Sequence, residues 1–228
     1  MQKEKNLLRR SLLLLVCFCL WTVLVQTVDT QSAGETGTVI GFAALNSLFH
    51  DFTGVHMWLY TLTDWLGLVP VAVGMGFAFL GLRQLLRRRS LWKVDPDLLL
   101  LGGYYTAVIF GYLIFEIYPV NYRPVFIENR LEASYPSSTT LLVLSVMPTL
   151  AFQTNRRLKN MRLKKGIAVL TGLFSVLMVF GRLLSGVHWV TDIIGAVFLS
   201  RGLFSLYHAA VLLYYRKKEK RRAQNGIF

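Results

Sequence analysis

Four side chains in the 228-residue chain have the types and spacing for phosphate chemistry. His188 and Asp192 stand four apart, so on a helix they share a face. A carboxylate so placed fixes the imidazole tautomer and leaves the other nitrogen free to attack. Arg182 lies six residues before His188, and Arg123 opens an Arg-Pro pair further upstream. Each guanidinium is a planar, permanently charged fork that matches phosphate oxygens. Pro136-Ser137-Ser138-Thr139 reads as a helix start. The free N–H groups of Ser137, Ser138 and Thr139 are expected to face an anion there, helped by the helix dipole. The chemistry implied is an anion site with a nucleophile.

The elements that position these residues are apolar. Stretches at residues 12–28, 66–86, 98–118, 138–152, 166–184 and 191–215 are candidate spans, the fourth short for the purpose. Of the 25 Lys and Arg residues, 21 fall in the N-terminal tail, the second-to-third connection, the fourth-to-fifth connection and the C-terminal tail. Basic residues mark cytoplasmic loops, so both termini are expected inside and the three polar motifs outside. The net charge of +13 is therefore a topology signal rather than a nucleic-acid footprint.

With 54% hydrophobic and 16% charged residues, the chain is excluded from the ordinary soluble class. The expected architecture is all-α, a six-helix transmembrane bundle forming one membrane domain. Residues 1–65 form an anchor helix and an outer amphipathic segment at 39–52, residues 66–215 the core, and residues 216–228 a basic tail. A basic start before an apolar run also fits a secretory signal, but no small-x-small site follows, so a retained anchor is expected. The compact loops point to a bacterial plasma membrane. Cys17 and Cys19 sit in the first apolar run and offer no disulfide framework. Arg201 falls within the sixth span, where snorkelling or helix pairing is expected, and His208 reads as structural. No nucleotide loop or metal-ligand cluster stands out, and no cofactor or nucleic-acid partner is expected.

The three motifs, in this order, resemble the type-2 phosphatidic acid phosphatase and haloperoxidase superfamily. Its membrane members carry Lys-x6-Arg-Pro, then Pro-Ser-Gly-His, then Ser-Arg-x5-His-x3-Asp. The resemblance covers roughly residues 66–215. It implies a six-helix phosphatase for a lipid phosphate, working without metal through a phosphohistidine on His188. Arg123, Arg182 and the Ser137–Ser138 backbone would cradle phosphate, and Asp192 would orient the imidazole.

Four positions depart from the family pattern. Glu116 stands for the lysine, Ser138 for the glycine, Gly181 for the serine before Arg182, and Thr139 for the histidine that serves as general acid. A threonine hydroxyl ionises far above the range useful for acid catalysis. Three readings stay open. The site prefers a lipid diphosphate, such as a polyprenyl diphosphate, with its better leaving group. Alternatively Glu116, His50 or His56 supplies the proton. Or hydrolysis is lost, and the protein binds, senses or transports a lipid phosphate.

Overall fold

The computed structural model describes residues 2–224. Among the described residues eight α-helices dominate: α1 Gln2–Thr27, α2 Ala43–Thr53, α3 Met57–Leu66, α4 Leu68–Arg88, α5 Pro96–Ile117, α6 Ser138–Arg157, α7 Met161–Leu184 and α8 Val190–Gln224. A two-stranded antiparallel hairpin, β1 Gln31–Ala33 and β2 Thr38–Ile40, and a 3-10 turn at Leu91–Lys93 complete the regular structure.

Among the described residues, five helical stretches are long and apolar enough to cross a bilayer: α1, α3 and α4 run together as Met57–Arg88, α5, α7 and α8. The sixth helix, α6, is the most interior. It packs against α4, α5, α7 and α8, and buries Thr139, Thr140, Ser145, Thr149, Gln153 and Thr154. A helix surrounded by protein has no need of a lipid-facing apolar surface, and its polar groups pair within the bundle. Gln153 donates to the Tyr207 hydroxyl at 2.7 Å, and Tyr105 and Thr149 share a hydrogen bond of the same length. That is why this span reads short and weak in hydropathy.

Several element boundaries differ from expectation. The second span begins at Met57 rather than residue 66, because Gly67 keeps right-handed helical angles and joins α3 to α4. The segment 39–52 is divided: residues 38–40 pair as a strand, Phe42 turns left-handed at φ 50°, and helix follows from Ala43. Both basic tails are helical, the first within α1 and the second through Gln224.

α1 lies along α8, with Ser11 donating to the Gly202 carbonyl at 2.9 Å and Trp21 to the Thr191 carbonyl at 3.1 Å. At the opposite end of the bundle from the motifs, Arg157 bridges Asp95 (3.2 Å) and Asp97 (2.9 Å). Gln84 also donates to Asp95, so α4, α5 and α6 are fastened together there. The three motifs emerge at the other end.

Candidate active site

Each motif is set by its own backbone device. Residues 121–134 fold back as a short loop, with Tyr122 opposite Ala133, Ile127 opposite Arg130, and Glu128 and Asn129 at positive φ in the turn. Two positive-φ residues in succession close such a turn. The Arg123 N–H donates to the Glu132 carbonyl at 3.0 Å. The β1–β2 hairpin clamps this loop from outside. The Glu35 N–H donates to the Pro124 carbonyl (2.8 Å) and the Thr36 hydroxyl to the Arg123 carbonyl (3.0 Å). Gly34, at φ 72°, makes the approach possible, since a Cβ there would stand 2.7 Å from the Pro124 oxygen.

The second motif caps α6. Ser137 is the N-cap, and the α6 amides from Ser138 onward are the unsatisfied first-turn donors. One expectation is corrected: the Ser137 N–H is not free, but donates to the Asp192 carbonyl at 3.2 Å. Its hydroxyl donates to Thr140 at 3.1 Å. Ser137 therefore ties α6 to α8, leaving Ser138 and Thr139 as the amides available to an anion. Ser138 is half-buried and Thr139 buried.

The third motif spans the turn from α7 to α8. Asp192 is fully buried; its Oδ2 accepts from the Trp189 N–H at 3.0 Å and its Oδ1 from Asn121 Nδ2 at 3.1 Å. His188 Nδ1 lies 3.6 Å from Asp192 Oδ2, so the expected pair is in place at slightly more than hydrogen-bond length. The imidazole is 4% exposed, and neither ring nitrogen has a well-aligned partner. Burial, reinforced by the charges of Arg123 and Arg182, holds the His188 pKa well below its ordinary 6.5. At neutral pH the ring is uncharged.

Both guanidinium groups gather around Tyr60 of α3. The Arg182 centre lies 4.6 Å from that ring centroid and the Arg123 centre 5.7 Å. Arg182 donates to the Tyr60 carbonyl (3.3 Å) and to the Thr63 hydroxyl (3.2 Å), with Asp64 Oδ1 3.6 Å from its Nη2. Arg123 Nε makes an ion contact with Glu132 at 3.0 Å. Arg123 Nη1 and Arg182 Nε remain buried without a partner. Two like charges, buried together with unused donors, create a site that favours an anion.

A polar cavity of about 60 Å³ adjoins this cluster, lined among others by Arg123, Ser138, Glu116 and Glu132. That is room for about two waters. Glu116, on α5, is exposed at its wall, and Arg123 pairs with Glu132 instead. His56 is exposed at the start of α3, where only its backbone is engaged, accepting from the Tyr60 N–H and donating to Ser185. His50 lies beside Trp189 with ring centroids 5.5 Å apart and planes tilted by 55°, its Nδ1 buried and unpartnered. Burial lowers its pKa, against a smaller opposing effect of Asp51.

Sequence reasoning missed the supports. Asn121 holds Asp192, while buried Asn46 accepts from the Thr191 N–H (3.3 Å) and donates to its hydroxyl (3.0 Å). Tyr60, Thr63 and Asp64 seat Arg182. Their only sequence signal is a polar residue inside or beside an apolar run.

Three comparisons bear on this geometry. No curated protein matches the chain. Among solved structures, the fold is similar to the first transmembrane PAP2 type phosphatidylglycerolphosphate phosphatase from Bacillus subtilis. The TM-score is 0.56 at 18% identity, over 87% of this chain and 94% of that one. The PAP2 superfamily model matches residues 96–218, which hold Arg123, Ser137–Thr139, Arg182, His188 and Asp192. With its bundle and over half its length accounted for in this way, the chain belongs to the PAP2 superfamily.

Proposed function

We propose that the protein is a lipid phosphatase that cleaves a lipid phosphate or polyprenyl diphosphate through a phosphohistidine on His188. The observation that carries this reading is the buried, uncharged imidazole beside Asp192, with Arg123 and Arg182 close enough to depress its pKa. In-line attack by Nε2 forms the N–P bond as the P–O bond to the leaving group breaks. The leaving oxygen takes up a proton, and Asp192 stabilises the Nδ1–H of the charged ring. Water then attacks the phosphohistidine and releases phosphate. Arg123 and Arg182 neutralise charge on the transferring group, with the Ser138 and Thr139 amides as further donors. Two guanidinium groups supply the role a metal would otherwise play, so the reaction is metal-independent and needs no cofactor.

The same reading sets the orientation. The motifs lie at the end away from the basic loops, which supports a site at the extracytoplasmic face of a plasma membrane, with both termini cytoplasmic. Thr139 bears on the substrate. Without a histidine there, an alkoxide leaves poorly and a phosphate leaves well, which favours a diphosphate. Glu116 is the proton donor best placed, since it shares a cavity wall with Arg123 and Ser138.

Thr139 also favours a second reading, a lipid-phosphate binder, sensor or transporter that no longer hydrolyses. The test uses the purified full-length protein in detergent with polyprenyl diphosphate and phosphatidate. Faster release from the diphosphate, loss of release in His188→Ala and a trapped phosphohistidine support the enzyme. Release unchanged in His188→Ala refutes the phosphohistidine route, and tight binding without release supports the second reading. If Glu116 is the acid, Glu116→Gln loses turnover and keeps binding.

A further inference from the structure

α6, α7 and α8 part below the site to leave a groove of about 630 Å³. Its walls are largely apolar, with Leu144 and Phe152 from α6, Val176 and Phe180 from α7, and Phe204 from α8. Arg201 and His208 line the same groove, seven residues apart on one face of α8.

Arg201 lies in the apolar part of α8 toward its basic end, at the level where the apolar stretch of α1 begins. It follows Val190 by eleven residues, roughly 16 Å of helix. The neighbouring Gly202 carbonyl accepts from Ser11, where the apolar stretch of α1 begins. Tyr207, which joins the polar layer at the basic end through Gln153 and Asp97, is a further six residues on, roughly 9 Å. Among the described residues Arg201 has no hydrogen bond and no ion pair, and Arg10 adds charge of the same sign. Side chains on a helix lean toward its N-terminus, which for α8 is the site end, so snorkelling to the basic face runs against the side chain's own direction.

A guanidinium at this depth is costly without a partner. A molecule that supplies both the anion and an apolar body to fill the groove is an anionic phospholipid. We propose that the groove holds one anionic phospholipid, drawn from the leaflet at the basic end, with its phosphate on Arg201 beside His208. The acyl chains follow the apolar walls. This site is separate from the one at His188, and the proposal stands whether or not the chain hydrolyses lipid.

The experiment embeds the full-length protein in phosphatidylcholine nanodiscs containing graded phosphatidylglycerol, and counts retained lipids by native mass spectrometry. One phosphatidylglycerol is expected to be retained, and Arg201→Gln to weaken it about tenfold, equivalent to about 1.4 kcal/mol. Arg182→Gln, which alters the other anion site, is expected to leave that lipid in place. A Cβ at Gly172, on the groove wall, meets nothing within 4 Å, so Gly172→Leu fills the groove with Arg201 intact. It is expected to expel the lipid, and it decides the matter if Arg201→Gln does not fold. Equal retention of phosphatidylcholine, or unchanged phosphatidylglycerol in Gly172→Leu or in a folded Arg201→Gln, overturns the proposal. Loss of the lipid in Arg182→Gln alone would assign it to the His188 site instead.

Discussion

Gly181 is the departure from the family pattern that the structure explains, and the explanation can be tested. α3 lies against this position, so that a Cβ would stand 2.7 Å from Thr63 Cγ2 and 3.8 Å from Leu59 Cδ1. Thr63 does not turn aside freely. It is fully buried, and its Oγ1 donates to the Leu59 (2.8 Å) and Tyr60 (2.9 Å) carbonyls while accepting from Arg182. Gly181→Ser, which installs the family residue, therefore overpacks a stiff β-branched neighbour, at a cost of about 1–3 kcal/mol. If Thr63 rotates to relieve the clash, Arg182 loses a charge-assisted hydrogen bond worth about 1.5–3 kcal/mol. Phosphate affinity should then fall about tenfold or more. Thr63→Ser removes the clashing methyl and keeps the hydroxyl, so the double variant should recover most of both losses. Denaturant unfolding in detergent and inorganic phosphate binding, run as a double-mutant cycle, measure the coupling. If the two substitutions add within about 0.5 kcal/mol, the contact is not the reason for glycine.

Two further outcomes follow from the site. Because the folded-state pKa of His188 is depressed, the unfolded chain takes up a proton first, and stability falls as pH drops below about 6.5, by at most about 1.4 kcal/mol per pH unit for one proton. His50 contributes with the same sign, so the measurement is the difference in unfolding free energy between wild type and His188→Gln across pH 5–7.5, about the range where histidine titrates; parallel curves would show that His188 titrates normally. Thr139→His restores an acid at the start of α6 and should raise phosphatidate turnover by about a hundredfold while changing diphosphate turnover little; equal effects on both substrates would place residue 139 away from the leaving group.

The sequence carried the bundle and the charged site residues because both depend on local signals. Apolar runs of bilayer length and alternating basic loops need no tertiary information. His188 and Asp192 do come together, but not through helical spacing: His188 lies in the turn before α8, and Asp192 in the first turn of that helix reaches back toward it. What escaped notice depends on contacts between distant segments. Tyr60 looks like an interfacial aromatic until Arg123 and Arg182 are seen gathered at its ring. Asn46 and Asn121 are 145 and 70 residues from Thr191, and no pattern in the chain joins them. Ser137 was expected to offer its amide to an anion, but Asp192, on another helix, takes it first.

The departures divide unevenly around the site. Glu116 and Ser138 line one cavity, and Thr139 follows Ser138 on α6, so three of the four fall on the α5–α6 side. On the α7–α8 side Arg182, His188 and Asp192 are kept, and the fourth departure, Gly181, answers to packing against α3. A protein that only bound phosphate would need its two arginines. It would have no use for a buried imidazole held uncharged beside a carboxylate that is itself fixed by Asn121 and the Trp189 amide. Under the proposed function, departures on the wall that would meet the leaving group, with the wall that holds His188 kept, are what a different substrate would require. The distribution of the four positions therefore favours an enzyme with a different leaving group over one that has lost its reaction.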